Sequence, residues 1–486
     1  MLMVLSFLLP VVGAVLVFRE TDSAKRQKLT VISVIAAAIL AVAAAFLGQL
    51  TEFSREFTLL RLSDTLALTF AADGLGLFFI ALVGFIWCFV QFHAFGYMKH
   101  EGKESQFFGF FLLTYAALIA LAFAANAETL YMCFELMTLC SMPLVLHNGS
   151  EQSRRASFAY LGYSTLGASL ALLGFFLLAA QGNDLTFIPG GGGQLTGDPK
   201  ALLAAAFLII LGFGAKAGMV PLQMWLTEAH PVAPSPASAV LSGLITKGGV
   251  LAIIRCTFQL FGREMLRGTW VQTAILVLAI VTIFTGSMLA QREKLLKKRL
   301  AYSTVSNVSY VLFGLFVFDE VGMGVPGAFL QIVFHALAKD ALFLCAGSVI
   351  FATGKTKVDE LKGIGKQMPV TMWCFAIASL SLIGIPPMGG FFAKYLLAMG
   401  ALDTGTTLGL VGVAVLMVSA LLTAFYLLPI VSAAFFPGRD FDAGEKCEVP
   451  KTMLVPQIVF AGLTVLLGMF PNVLTVFTAI LDGWVL

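Results

Sequence analysis

The chain has 486 residues, of which 59% are hydrophobic and only 12% are charged, whereas a soluble domain carries roughly 25% charged residues. Its mean hydropathy is +0.93, and its 44 phenylalanines far outnumber its nine tyrosines and five tryptophans. These values exclude a soluble enzyme, a nucleic-acid-binding protein and a disordered chain, and they predict a polytopic membrane protein built of α-helices. The net charge of +3 says little, because 30 basic and 27 acidic residues nearly cancel.

The first apolar run, 2–18, is followed rather than preceded by basic residues, beginning with Arg19. A secretory signal would need a basic region before the run and a small-residue cleavage site after it. We therefore expect this run to be a retained first span.

Fourteen apolar segments are long enough to cross a bilayer, which takes roughly 20 residues in a helix. Their limits are 2–18, 29–49, 72–97, 105–125, 127–148, 156–181, 200–219, 237–260, 269–291, 300–318, 325–353, 368–400, 405–436 and 453–484. We expect no soluble domain between them.

Two polar connections have a recognisable character. Residues 55–71 alternate enough to predict a short surface hairpin. Residues 182–199 contain Pro189 and the run from Gly190 to Gly193, which favour a loop. That glycine run lacks the following lysine of a phosphate-binding loop, so it does not indicate a nucleotide site.

The placement of lysine and arginine predicts the orientation, because cytoplasmic loops carry an excess of these residues. With both termini outside, 20 of the 30 basic residues fall in inside loops, Lys297 among them, and six fall on the outside, Arg255 among them. This bias supports an even number of spans.

Seven cysteines are present, none in a Cys-x-x-Cys pair and six of them in apolar runs. This usage argues against iron–sulfur or zinc ligation and against a disulfide framework. No His, Asp or Glu cluster shows the spacing of metal ligands. We therefore expect neither a metal site nor a cofactor.

Four lysines remain inside apolar helices, where an ionisable group costs roughly 2.5–3.5 kcal/mol even on the lenient insertion scale. They are Lys216, Lys247, Lys339 and Lys394. A single one could snorkel to an interface or neutralise an acid, but four in one chain predict a path for ions.

Two of these lysines lie close to helix breakers. Lys216 is followed by Pro221, and Lys394 is preceded by Pro386 and Pro387. Proline removes a backbone donor and breaks or kinks a helix. Interrupted hydrophobic helices in the two halves of a chain are typical of transporters with a site between inverted repeats, so these prolines are candidate gating positions.

Glu135 is the carboxylate in the middle of its span, and Lys216 is its natural cationic partner. A carboxylate that approaches or leaves a buried lysine changes that lysine's hold on a proton. The pair therefore predicts a switch, although a static buried pair that serves packing is the alternative.

A second group of polar residues surrounds Lys339. His335 lies one turn earlier on the same helix face, and histidine titrates near neutral pH, which suits a relay. Asp340 points away and is expected to serve packing or pairing. His230, in a proline-rich segment, is a candidate gate for proton uptake. The other three histidines, His93, His100 and His147, are expected at the membrane interface.

The segment from Pro221 to Arg255 resembles the signature of the antiporter-like subunits of respiratory complex I, which Mrp-type Na+/H+ antiporters and energy-converting membrane-bound hydrogenases share. The blocks KKRLAYSTVSNVSY (297–310), FHALAKDALFL (334–344) and GIPPMGGFFAKYLL (384–397) follow in the family's order. Thr227 departs from the pattern, since the family usually has proline there.

The resemblance implies fourteen helices with two inverted five-helix repeats, each containing one broken helix. The implied divisions are 1–104 for the first three helices, 105–260 and 261–436 for the two repeats, and 437–486 for the last helix. By motif position it assigns the ion path to Glu135, Lys216, Lys247, His335, Lys339 and Lys394.

The resemblance further implies a bacterial or archaeal cell membrane, and other membrane subunits as partners, related antiporter-like subunits included. Lipids would surround the chain, and H+ and Na+ are the candidate ions; no nucleic acid is expected. The leading hypothesis is an ion-translocating subunit without catalytic chemistry of its own. The alternatives are a redox subunit that binds quinone and a structural subunit that transports nothing.

Overall fold

Long apolar helices make up most of the computed structural model, which describes residues 1–50, 56–61, 63, 66–188, 195–438 and 444–470. In chain order the helices are α1 (Leu2–Arg19), α2 (Ser23–Leu50), α3 (Gly74–Glu101), α4 (Glu104–Ala122), α5 (Ala127–Val145), α6 (Glu151–Ala179), α7 (Pro199–Ala217), α8 (Met224–Val232), α9 (Ser235–Val240), α10 (Thr246–Ile254), α11 (Arg263–Leu266), α12 (Trp270–Arg292), α13 (Leu296–Val317), α14 (Gly324–Thr353), α15 (Ile364–Gln367), α16 (Pro369–Ile383), α17 (Gly389–Asp403), α18 (Thr407–Phe435) and α19 (Lys451–Met469). A 3-10 turn, Val358–Leu361, precedes α15.

Twelve stretches of helix within the described residues are long and apolar enough to cross a membrane. Helix α5, which carries two glutamates, and the pair α16 and α17 occupy the two remaining predicted spans. The predicted all-α membrane fold is thereby confirmed, and the observed helix ends differ from the predicted limits by six residues or fewer. The exception is the last span, in which α19 ends at Met469 instead of the predicted 484, and residues from 471 onward lie outside the described residues.

A short hairpin joins α2 to α3, as the alternation at 55–71 predicts. Strand β1 (Glu56–Arg61) pairs antiparallel with β2 (Ala67–Ala71). The backbone N–H of Ala71 donates to Phe123 O at 2.7 Å, so the hairpin is tied to the turn between α4 and α5. The predicted loop at Pro189 and Gly190 to Gly193 lies outside the described residues.

Polar caps fix where the helices around the lysines begin. The Asn126 side chain accepts from Thr129 N at the start of α5, and the Ser150 side chain accepts from Ser153 N at the start of α6. Each cap satisfies one of the backbone donors that a helix N-terminus leaves free. The caps therefore set the register of the helices that carry Glu135 and the partners of Lys216.

Both predicted breaks are present, and they are built alike. Helix α7 ends at Gly218 with φ 82°, and the cis bond before Pro221 precedes α8. Helix α16 ends at Gly384 with φ 90°, and the cis bond between Pro386 and Pro387 precedes α17. Each helix ends at a residue in the left-handed conformation, and glycine adopts this conformation without steric cost.

The span Ser235–Phe261 runs through the centre of the bundle and is buried along its whole apolar window. It is not a uniform α-helix, because the π-helical segments Leu241–Ile245 and Arg255–Phe261 flank α10 on both sides. Such π-segments are frequent at functional sites. The flanked helix α10 is the one that carries Lys247.

Burial separates central from peripheral helices. In α13 and α14, 94% of the residues in the apolar window are buried, against 28% in α18. A helix that is apolar all round and exposed on one side faces lipid or another membrane protein. The polar residues on the central helices are therefore enclosed by protein.

Three basic residues that the orientation count places in loops are buried instead, namely Arg26, Arg255 and Lys297. Arg255 is 2% exposed and pairs with Asp73 at 2.8 Å. Lys297 is 7% exposed and donates to Ala233 O, just after the end of α8. The charge-placement rule counts residues near span ends, and it does not distinguish a loop lysine from one that satisfies the carbonyl of a neighbouring helix end.

Candidate ion-translocation site

Lys216 is completely buried in the last turn of α7. Its Nζ donates to the hydroxyl groups of Tyr160 and Ser164 on α6, both at 2.9 Å. It also lies 4.1 Å from the centre of the Tyr160 ring and 5.4 Å from that of Trp225, within the range of cation–π attraction. Hydroxyl oxygens and aromatic rings, rather than a carboxylate, therefore surround this ammonium group.

Glu135 lies half-buried on α5, and the direct ion pair with Lys216 that the sequence suggests does not form. The two groups interact electrostatically across a gap. Among the described residues, none donates a hydrogen bond to Glu135 Oε1. The carboxylate is therefore close to the lysine but not held by it, which is the geometry that a movable partner requires.

Lys247 and His335 meet at the centre of the bundle. Lys247 Nζ lies 2.5 Å from His335 Nδ1 and donates to Ser242 O at 2.7 Å. Both side chains are buried. In this contact one nitrogen carries the proton and the other accepts it, so α10 and α14 are joined by a titratable hydrogen bond.

Helix α10 also packs directly on α7. A Cβ at Gly249 would lie 2.9 Å from Phe213 O and 3.1 Å from Lys216 Cβ. Only glycine allows so close an approach of two helix backbones. Lys247, two residues earlier, is therefore held next to the helix that carries Lys216.

Lys339 follows His335 by one turn of α14, and it is fully buried as well. Its Nζ donates to Leu300 O at 2.8 Å and to the hydroxyl of Ser303. Both partners belong to α13. The predicted common face of His335 and Lys339 thus points between α10 and α13.

The pairing role predicted for Asp340 has its partner in this group. The Asp340 carboxylate faces the π-segment before α10, where a Cβ at Gly243 would come within 2.0 Å of Oδ2. It interacts electrostatically with Lys247. Within the described residues neither of its oxygens has a hydrogen-bond partner, so Asp340 is a charge partner of Lys247 at a distance.

A narrow crevice continues from His335 toward the second break. It is lined by Asn307, Gln331 and Ser381 together with apolar neighbours, and it is too narrow for a water-sized sphere. Gln331 Nε2 donates to Asn307 Oδ1 at 3.3 Å. In the described part of the chain, His335 Nε2 and the Ser381 hydroxyl have no hydrogen-bond partner, so both ends of the crevice are polar.

Lys394 lies half-buried in the first turns of α17. Its Nζ donates to Leu382 O at 2.7 Å and to Ile383 O at 2.8 Å, across the break. These carbonyls end α16, where the helix dipole is negative. The nitrogen also lies 5.1 Å from the centre of the Tyr310 ring.

His230 sits in α8, fully buried and stacked on Phe343 of α14 with the ring centres 4.6 Å apart. No described residue accepts from or donates to its ring nitrogens. Its ring interacts electrostatically with Lys297 and Lys339. The candidate gate residue therefore lies between the buried loop lysine and the central group.

Three smaller expectations have definite outcomes. His93 is fully buried within the protein, and its Nε2 lies 3.3 Å from the Ser348 hydroxyl of α14. His147 is also buried, and its Nε2 contacts Gly102 O at 3.1 Å. Thr227, where the family usually has proline, fits inside α8 and donates to Met224 O at 3.0 Å. This departure leaves the break intact.

The hydroxyl groups that bind Lys216 and Lys339 were not predicted, because serine and tyrosine in apolar helices are common and carry no charge. The one available signal is periodicity, since Tyr160 and Ser164 recur at one turn on α6, and Ser303 and Asn307 do so on α13. Burial of both pairs then shows which face they line.

A polytopic bundle with two interrupted helices and a buried row of lysines has the architecture of an ion-translocating membrane subunit. Residues 124–423 match the transmembrane family described as NADH:quinone oxidoreductase/Mrp antiporter. The chain belongs to this family, and it is an antiporter-like subunit of the kind that multi-subunit membrane complexes use in ion translocation.

Known proteins resemble the chain in sequence and in fold. It is 33% identical over 412 residues to NADH-quinone oxidoreductase subunit N of Desulforudis audaxviator, and the match covers 80% of each protein. It is 31% identical over 423 residues to hydrogenase-4 component B of Escherichia coli, covering 83% of this chain and 62% of that protein. A chain of the Mrp complex from Dietzia sp. shares its fold with a TM-score of 0.83 at 21% identity, over 99% of this chain and 97% of that one.

Proposed function

We propose that this subunit moves protons through the membrane along the buried row that begins at Glu135 and ends at Lys394. The observation that carries the proposal is the 2.5 Å contact between Lys247 and His335. It joins a lysine next to the first break to the helix that leads toward the second. Proton transfer requires heavy atoms within hydrogen-bond reach or bridged by one water, and this contact meets that condition.

The row has a defined order. Glu135 lies next to Lys216, α7 packs on α10, Lys247 contacts His335, and Lys339 follows one turn later. The step between Lys247 and His335 is a direct contact, and water bridges the remaining steps. The order of transfer along the row is therefore Glu135, Lys216, Lys247, His335 with Lys339, and Lys394.

Proton exchange with the hairpin side takes place through a groove. This groove is lined by the hairpin, α5 and α6, and Glu128 and Asp184 contribute carboxylates to it. Glu128 precedes Glu135 by two helical turns, so both lie on one face of α5. On the opposite side, His230 and Lys297 connect the end of α8 to Lys339.

The two helix breaks gate the movement of protons. Pro221 and the pair Pro386 and Pro387 keep residues between the half-helices out of the α-helical ladder. Lys216 thereby lies at the end of α7, next to the nine-residue α8, and Lys394 lies on the 15-residue α17, so a short half-helix beside each lysine can shift without unwinding a whole span. Short segments of this kind are where hinge motions concentrate.

The predicted repeats follow from the same pair of breaks. We assign 105–260 and 261–436 to two inverted five-helix repeats, flanked by 1–104 and 437–486, because the breaks in α7–α8 and α16–α17 are built alike. We place the chain in a bacterial or archaeal cell membrane with both termini outside, on the excess of basic residues in alternate loops.

Another membrane subunit covers the face of α5 that carries Glu135. Met132, Leu136 and Leu139 on this face are about half exposed, at 49%, 49% and 54%. A carboxylate among them cannot face lipid, because ionisable groups in a membrane point to protein or water. The relatives are named as subunits of larger complexes, and a related antiporter-like subunit fits this face, with lipid on the remaining surface.

H+ is the ion that the row carries, and exchange for Na+ is the reaction in an antiporter assembly.

The test measures proton flux by the complex that contains this subunit, reconstituted in liposomes with an entrapped pH dye and driven by a potassium diffusion potential. Lys216→Ala and Lys394→Ala should each lower the flux at least about tenfold, since each removes the group that holds the proton at one break. Lys200→Ala is the matched control, because Lys200 lies in the first turn of α7 and is exposed.

Assembly is measured in parallel by co-purification of the partner subunits. Loss of flux with normal assembly in both lysine variants, and normal flux in the control, is the expected pattern. Normal flux in a correctly assembled Lys216→Ala or Lys394→Ala complex would refute the relay.

A further inference from the structure

A cluster of hydroxyl groups joins α12, α13 and α18, away from the lysine row. Tyr310 OH donates to Ser419 Oγ at 2.7 Å, and Ser287 Oγ lies 2.5 Å from the same atom. Ser306 completes the cluster at 2.8 Å from Ser287 and 3.1 Å from Ser419. All four residues are 0% exposed. The cluster contains no charged group, and the proton row described above does not use it.

The same face of α18 carries two more buried hydroxyl groups. Thr423 donates to Ser419 O at 2.7 Å, and Tyr426 OH donates to Thr423 Oγ1 at 3.2 Å. Tyr426 also interacts with the side chain of Ser303. Ser303 in turn accepts from Lys339. Hydroxyl groups therefore lead from Lys339 along α18.

At its other end this line reaches Lys394, whose Nζ lies 5.1 Å from the centre of the Tyr310 ring. We propose that these hydroxyl groups conduct protons between Lys339 and Lys394, because the crevice beside His335 is too narrow for a water molecule. We call them the hydroxyl file: Ser303, Tyr426, Thr423, Ser419 and Tyr310. The inference rests on the proposed function, and it adds a route and five residues to it.

The composition of α18 supports this role. The opposite side of the helix exposes Met417, Leu421 and Phe425 by 70%, 55% and 54%, so that side faces apolar surroundings. Burying a hydroxyl costs free energy unless it is hydrogen-bonded.

The transfer is balanced in protons and charge. The Lys339 ammonium gives one proton to Ser303, each hydroxyl oxygen accepts a proton and passes its own onward, and the neutral amine of Lys394 takes the last one. No hydroxyl ends with a net charge, because each gains and loses one proton. Between Thr423 and Ser419 the existing bond ends on a backbone carbonyl, and Tyr310 donates toward Ser419 rather than accepting from it. The Thr423 and Tyr310 hydroxyls therefore rotate, and one water bridges the gap from Tyr310 to Lys394, to complete the line.

The test uses the reconstituted complex and the flux assay described above. Thr423→Val and Tyr426→Phe remove one oxygen each and keep the shape of the side chain. The double variant should lower proton flux at least about tenfold, since positioned proton transfer fails without a partner in reach. Thr423→Ser, which keeps the hydroxyl, should restore the parent rate, and a purely structural role of the branched side chain would not give that rescue.

Helix α4 offers matched controls for both changes. Thr114 is fully buried and donates to Phe110 O at 2.7 Å, like Thr423, and Tyr115 is fully buried with its hydroxyl 3.4 Å from Val34 O. Thr114→Val and Tyr115→Phe should leave the flux within about twofold of the parent, because they remove equivalent hydrogen bonds off the route.

The outcomes separate this inference from the proposed function. If Lys394→Ala abolishes flux while the Thr423→Val/Tyr426→Phe double variant pumps like the α4 controls, the hydroxyl file is refuted and the lysine row stands. If Lys394→Ala pumps normally, the proposed function fails, whatever the hydroxyl variants do. If the α4 controls lose as much flux as the double variant, the loss is structural and the file is refuted.

Discussion

Removing the carboxylate of Asp73 should destabilise the subunit more than any surface charge change. Arg255 donates to both oxygens of Asp73, at 2.8 and 3.0 Å, and also to Gln259 and to Ala122 O. The pair is almost fully buried, with side-chain exposures of 2% and 5%. It joins the start of α3 to the π-segment at the end of the central span.

The magnitude follows from this burial. Breaking a buried pair leaves an uncompensated charge and costs roughly 3–5 kcal/mol. Asp73→Asn should therefore lower the free energy of unfolding by about this amount, while the amide still caps Gly76 N as the carboxylate does at 2.7 Å. Asp73→Ala should cost about 1 kcal/mol more, because it also removes the cap.

A double-mutant cycle tests whether the unpaired Arg255 charge causes this loss of stability. Replacing Arg255 by methionine in the Asp73→Asn background removes the unpaired charge, so stability should recover to within about 1–2 kcal/mol of the parent. The assay is equilibrium unfolding of the purified subunit in mixed micelles, followed by circular dichroism as the denaturing detergent is increased.

An exposed pair supplies the comparison. Arg154 lies 2.6 Å from Glu151 with both side chains 59% exposed, and Glu151→Gln should cost at most about 1 kcal/mol. The reasoning is refuted if Asp73→Asn costs no more than this control. It is refuted equally if the double variant is less stable than Asp73→Asn alone.

Two further predictions concern packing at the second break and pH. At Gly390 a Cβ would lie 1.9 Å from Ser381 O. Gly390→Ala should therefore lower the free energy of unfolding by at least about 1–3 kcal/mol through overpacking, and it should lower proton flux. Gly462 has open space around it, so Gly462→Ala should change neither the unfolding curve nor the flux. Burial lowers the pKa of His147, and its contact with Gly102 O only partly offsets this. Because a lowered pKa disfavours the protonated native state, stability should fall as pH decreases through 6.5, and unfolding curves of His147→Gln should show a smaller fall.

The fold was predictable because lipid imposes simple rules. Bilayer thickness sets the length of an apolar helix, so the limits of spans such as α1 and α12 could be read from hydropathy alone. The breaks were predictable for a different reason. Proline and glycine change the backbone itself, so Pro221 and Pro386 mark the breaks before any packing is known.

Partners within the site were not predictable to the same degree. Charge suggests that Glu135 and Lys216 should touch, but two hydroxyl groups of α6 take the hydrogen bonds of the lysine. Hydrogen bonding depends on the rotation and offset of neighbouring helices, and span limits do not contain these quantities. Arg255 and Lys297 were misplaced for the same reason, because a basic residue at a span end can turn inward to a carboxylate or a carbonyl.

The partners of the two broken-helix lysines imply different ways of exchanging a proton. Lys216 bonds to hydroxyl groups, which can accept from an ammonium or donate to an amine. It can therefore exchange a proton with the atoms it already contacts. Lys394 bonds to backbone carbonyls, which only accept and have no proton to give. The proton that reaches Lys394 must come from another group, and Tyr310, whose ring lies beside the nitrogen and whose hydroxyl joins the cluster on α18, is placed to supply it.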